Sequence, residues 1–144
     1  MNKHKSGYAT GMAGEFFVME KLYQLGYEPA LTIGNAKSVD IFVKNKSNQL
    51  FAVSVKSVRK STGKWVIGTR ENILKSKKII YIFLKYNNFE DIKDPPEVFV
   101  IPAKNVEQLK EKWLNNQYAI YFSPQQNLKK INCYKNKWGL FNTR

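Results

Sequence analysis

Ser38-Val39-Asp40-Ile41-Phe42-Val43-Lys44 is followed by the polar stretch Asn45-Lys46-Ser47-Asn48 and then by Leu50-Phe51-Ala52-Val53-Ser54-Val55-Lys56-Ser57-Val58. Residues two apart on a strand share a face. On the second segment Ser54 and Lys56 therefore lie on one face, and Phe51, Val53 and Val55 on the other. On the first, Asp40 goes with Ser38 and Phe42, while Val39, Ile41 and Val43 point away. The stretch between has the composition of a hairpin turn, which predicts two antiparallel strands, 38–44 and 50–58. Paired so, Asp40, Ser54 and Lys56 come to one shared face. An aspartate at a strand edge is common, and a lone lysine between valines is explained by a stem that reaches out to solvent. Their coincidence on one face is what argues for chemistry.

Upstream, Gly7–Gly26 reads as a helix closed by Gly26-Tyr27. At 100° per residue, Glu15 is surrounded by Gly11, Met12, Val18, Met19 and Leu22, so an apolar face runs through it. A carboxylate there is costly unless it meets a cation or donors. Glu20 lies about 140° round the same helix and reads as a boundary residue. The first helix is expected to cover the shared strand face and bring Glu15 to it. Two carboxylates and a lysine converging this way suit a divalent metal held against a phosphodiester.

Downstream, Pro29–Ile33 and Trp65–Gly68 read as short strands, and Thr69–Lys78 as a short helix. Ile79–Lys85 and Glu97–Ile101 read as strands covered on both faces. Ala103–Leu114 reads as a helix with Val106, Leu109, Trp113 and Leu114 at helical spacing. Leu128–Phe141 fits no single element. Helix, hairpin, then buried strands alternating with helices predicts an α/β domain with a mixed sheet.

The chain has 144 residues, which fits one domain over 1–144. No apolar run approaches the roughly 20 residues that span a bilayer, and no secretory apolar stretch follows the first residues. With a single Cys and a single His, an internal disulfide and a zinc site of the usual kind are excluded. The cysteine usage fits a reducing compartment, so a cytoplasmic location is expected.

The formal charge is +13, from 24 basic and 11 acidic side chains. Such a surplus favours a polyanionic partner. The bases are nearly all lysine, and arginine is the usual reader of base edges. Backbone contact is expected over sequence readout, with AT-rich coding bias an alternative source of the lysines. No basic helix with a clean apolar face suggests membrane binding.

In the order and spacing of Gly11-Met12-Ala13-Gly14-Glu15, Ser38-Val39-Asp40-Ile41 and Ala52-Val53-Ser54-Val55-Lys56-Ser57, the chain resembles the PD-(D/E)XK nuclease superfamily. Pro96–Ala103 also looks like a late strand and helix start of one bacterial branch, so the resemblance runs through about Leu114. It implies a restriction-endonuclease-like mixed central sheet flanked by helices, and a metal-dependent DNA endonuclease. It assigns Asp40 and the main-chain carbonyl of Val55 to Mg²⁺ or Mn²⁺, Glu15 to a water on the ion or a second ion, and Lys56 to the attacking water or the phosphate charge. Ser54 departs from the pattern, because the family carries an acid, or glutamine in some branches, at that place. A neutral hydroxyl is a poorer ligand, so the ion is expected to be weakly bound.

Three outcomes stay open: a weak-metal nuclease, an inactive nuclease-fold module that binds nucleic acid, or a site completed by a carboxylate from elsewhere. A basic interaction or inhibitor protein is a further alternative. Arg59, Lys60 and Lys64, in a basic loop after the second strand, and Arg70 are candidate DNA contacts, and a two-fold homodimer would suit duplex cleavage. The same loop also reads as solvated, with Trp65 in the core. Lysine clusters at 75–78 and 129–137 read as exposed faces.

Overall fold

The computed structural model describes residues 3–33, 38–69 and 78–142. Helix α1 (Lys3–Gln24) is followed by β1 (Glu28–Leu31), β2 (Ile41–Lys44) and β3 (Leu50–Arg59). Then come β4 (Lys64–Thr69), β5 (Ile79–Tyr86), β6 (Glu97–Pro102), α2 (Ala103–Leu109), β7 (Glu111–Lys112) and β8 (Gln117–Tyr121). Short 3₁₀ turns carry the chain from Gln125 to Asn142.

The fold is α/β. Its main sheet is mixed, in the order β1-β2-β3-β5-β6. The hairpin forms as the alternation predicts, with Ile41 opposite Val53 and Lys44 opposite Leu50. Its turn is fixed by Asn45, whose side chain accepts from the N–H groups of Ser47 and Gln49, both at 2.9 Å. β3 and β5 run parallel, with Lys56 beside Phe83 and Arg59 beside Tyr86. The apolar run of β5 is explained by its place at the centre, covered on both faces.

Two cores lie on the two faces of this sheet. On one, Val18 and Leu22 of α1 pack on Ile41, Val43, Phe51, Val53, Val55, Ile80 and Ile82. On the other, Tyr81, Phe83, Phe99 and Ile101 pack against Trp65, Val106, Ile120 and Phe122. Trp65 is fully buried and donates its indole N–H to the carbonyl of Leu84 at 2.9 Å, so the core reading of that residue holds.

Helix α1 thus covers the Val53/Val55 face, not the face that Ser54 and Lys56 share with Tyr81 and Phe83. The apolar stripe decides this: Thr10, Gly14, Val18 and Leu22 recur every fourth residue and are the buried positions. Glu15 stands on the flank of that stripe, half-buried.

The other face is covered by more than helices. A second sheet, β4-β8-β7, lies there. The helix expected over Ala103–Leu114 ends at Leu109, since Lys110 turns extended (φ −63°, ψ 147°) and Glu111–Lys112 pairs with β8. Leu114 is exposed in a turn where Asn115 and Asn116 both take positive φ, a conformation asparagine tolerates. The helix expected at Thr69–Lys78 falls outside the described residues except at its ends, where Thr69 closes β4.

Gly14 sets the distance between α1 and β3. A Cβ there would lie 1.6 Å from Ser57 Oγ and 2.7 Å from Ser57 Cβ. The hydroxyl can rotate but the strand's Cβ cannot, so the helix must move. Gly14→Ala is expected to lower stability by about 1–3 kcal/mol, although alanine favours a helix by about 1 kcal/mol. Thermal melting checks this, and a rise in the midpoint would refute so close an approach.

At the far edge, Glu97 accepts from Lys85 Nζ at 2.8 Å, Lys135 Nζ at 3.0 Å and Asn87 Nδ2 at 3.1 Å. Burial alone would raise its pKa, but the hydrogen bonds from Lys85, Lys135 and Asn87 outweigh it and hold the carboxyl down to about 2. An acid whose folded pKa is depressed stabilises fully above its unfolded value, here 4.5, and that contribution is lost as pH falls through the folded value. Melting followed between those two pH values should therefore drop more for the native chain than for Glu97→Gln. At neutral pH the variant leaves the buried Lys85 without its acid, and its midpoint is expected about 10 °C lower.

Candidate active site

At Asp40 the chain leaves the β2–β3 ladder. Its N–H still donates to the Val53 carbonyl at 2.9 Å, but its own carbonyl accepts from the Thr32 N–H. The carbonyl of Val39 is taken by the Thr32 hydroxyl at 2.6 Å. The Val55 N–H on the edge of β3 is thereby left without a strand partner. Asp40 Oδ2 accepts it instead, at 2.7 Å. The carboxylate is thus fixed at the sheet edge by a backbone donor.

One residue on, Lys56 is largely withdrawn from water. Burial pushes its amine below the ordinary value of 10.5, and the negative charge of Asp40 pulls the other way. Asp40 and Lys56 are therefore near enough for the charge of one to act on the other. Ser54 is buried, 2% exposed, on the Lys56 face. Val55 turns its side chain into the α1 core and its N–H to Asp40.

Glu15 is carried by α1, over the opposite face of the sheet from Ser54 and Lys56, beside Gly14, where an added Cβ would stand 3.7 Å from Val55 Cγ1. Among the described residues, no group of three or more His, Cys, Asp or Glu side chains is placed to hold one metal ion.

The candidate DNA contacts part company. Arg59 donates from Nε to Thr10 Oγ1 at 3.1 Å and lays its guanidinium 4.3 Å from the centroid of Phe89. Lys60 is exposed on the turn that follows. Lys64 is drawn over Trp113, 4.8 Å from its ring centroid, which spends its charge on an aromatic face. Arg70 lies outside the described residues.

Arg59 and Lys60 line a cleft of about 600 Å³ together with Ser61, Tyr86, Asn88 and Phe89. Nothing in the sequence pattern pointed to this cleft. The signal lies in the topology instead, in the end of a central strand at Tyr86, because clefts form outside the carboxyl ends of parallel strands.

The chain is similar in fold to the bacterial homing endonuclease I-Ssp6803I, with a TM-score of 0.60 and 16% sequence identity over 94% of this chain and 92% of that one. No protein-family model matches the sequence, and no curated protein is similar to it in sequence.

Proposed function

We propose that this chain is a divalent-metal-dependent DNA endonuclease that hydrolyses phosphodiester bonds, with Asp40, Lys56, Ser54 and Glu15 as its site. The observation that carries the reading is the Asp40 carboxylate, pinned by the Val55 N–H within the field of a desolvated lysine ammonium. A fold shared with a homing endonuclease supports it.

The donor set suits Mg²⁺ or Mn²⁺ held weakly. The hard oxygens of Asp40 and the Val55 carbonyl are the right chemistry, and Mg²⁺ keeps several waters where protein ligands are few. When bound, the ion supplies a more acidic water and a polarised phosphoryl oxygen. The chain's own residues do the rest. Asp40 orients the site, held in place by its backbone donor. Lys56 presents a positive charge in a dry setting, where it acts strongly on charge growing at the phosphate. The buried Ser54 hydroxyl adds a neutral oxygen. Arg59 at the end of β3 and Lys60 in the turn after it draw in the DNA backbone.

Ser54 also favours a second reading, a nuclease-fold module that binds DNA without cutting. Supercoiled plasmid incubated with the protein and Mg²⁺ or Mn²⁺ separates the two. Nicking by the native chain supports the endonuclease. Nicking gained only in Ser54→Glu supports the inactive module. Absence of any salt-sensitive DNA binding overturns both, because a surplus of +13 should release counterions from phosphates. Duplex cleavage by so small a chain is best served by a two-fold homodimer, one site for each strand.

A further inference from the structure

The cleft at the carboxyl ends of β3 and β5 carries a reading that goes beyond backbone attraction. Its floor is the pair Arg59 and Tyr86, neighbours across the parallel ladder. One wall is the turn Lys60–Thr62, closed by Gly63 at φ 77°. That turn is locked, since the Gly63 carbonyl accepts the N–H groups of Phe122 at 3.0 Å and Ser123 at 3.1 Å. The other wall is the chain after β5, from Asn87 to Glu90, and Ser123 closes the third side.

Arg59 is held in three ways that fix its plane. Its Nε is bonded to Thr10 Oγ1, one side of the guanidinium rests on Phe89, and Phe89 is braced edge-on by Tyr86 at 5.0 Å. Arg59 still lines the cleft. A guanidinium so supported is a stacking platform for a base. Lys60, exposed and in no ion pair among the described residues, is a point charge suited to a phosphate. Ser61, Asn88 and Ser123 add hydroxyls and an amide. The volume falls within the range of small-ligand sites.

A base paired in a duplex cannot enter such a cleft without leaving its stack. Lys56 and Arg59 are three residues apart on β3, about 10 Å. They point to opposite faces of the sheet, Arg59 towards α1 and Lys56 towards Phe83, so the cleft is a subsite apart from Asp40 and Lys56.

Resting on the endonuclease reading, we propose that this cleft binds one unpaired nucleotide of the DNA. The protein then favours DNA with an unpaired base over perfect duplex. The test is fluorescence anisotropy in EDTA with three probes: a blunt duplex, the same duplex with one extra unpaired nucleotide, and the same with an abasic unit in that place. The unpaired base should bind about tenfold tighter than the other two. Arg59→Lys keeps the charge and loses the plane, so it should bring the three affinities together, to within about twofold of one another. If the variant does not fold, the abasic probe still decides. Equal affinities for all three probes with plasmid nicking intact overturn this inference and leave the endonuclease standing. No binding to any probe overturns both.

Discussion

Asp40→Asn is expected to lower divalent-ion-dependent DNA cleavage by about a thousandfold or more while the fold persists. Asparagine has the same shape and retains an oxygen to accept the Val55 N–H, the 2.7 Å bond that holds the sheet edge. What disappears is the negative charge. With it goes the strongest anionic ligand for the cation, and several kcal/mol of transition-state stabilisation correspond to about a thousandfold in rate. The charge also steadies Lys56, since Asp40 is the influence opposing the fall of that amine's pKa. In the variant that amine's pKa should therefore fall further below 10.5. Plasmid nicking and thermal melting measured side by side check the point. A variant that melts like the native chain and cuts like it would remove Asp40 from the chemistry.

Much of this arrangement was legible in the sequence because it depends on short-range pattern. The alternation around Phe51, Val53 and Val55, set against Ser54 and Lys56, fixed the faces of β3, and a one-residue slip would have exposed the apolar set. The uninterrupted run of β5 announced a strand covered on both sides. What stayed hidden depends on tertiary pairing. Nothing local in Glu111–Lys112 says strand; it is one because β8 lies alongside, and the helical spacing of Trp113 and Leu114 is overridden by two asparagines at positive φ. The side taken by α1 was misjudged for a related reason. Glu15 was read as the centre of the apolar face, whereas the buried stripe is centred on Gly14 and Val18, where a missing Cβ lets the helix close on Ser57. Asp40 was placed within a strand but stands just before it, and that position is what frees its carboxylate to replace a strand partner at Val55. No periodicity encodes such a substitution; it follows from Thr32 capturing the carbonyls of residues 39 and 40.

Lys56→Met should raise stability and abolish cleavage together. The lysine's amine is held below its ordinary value of 10.5 chiefly by burial, which means that its charged form is penalised in the folded chain. Methionine has similar length without the charge, so melting should rise by several degrees, for a gain of about 1–2 kcal/mol. The sign of the pH response follows from the same shift. The unfolded amine holds its proton up to about its ordinary value, while the folded one releases it earlier. Stability of the native chain should therefore climb as pH rises from the folded value towards 10.5. The variant should lack that climb. Cleavage should fall by about a hundredfold or more, because a preorganised charge in a dry site is lost. A purely structural lysine would give the opposite pair of results: lower stability on replacement, through lost pairing with Asp40, and cleavage reduced only as far as the fold is weakened. A residue kept at a cost to the fold is what the endonuclease reading requires of its site, and Lys56, beside Phe83 on a central ladder, is a residue at which such a cost is incurred.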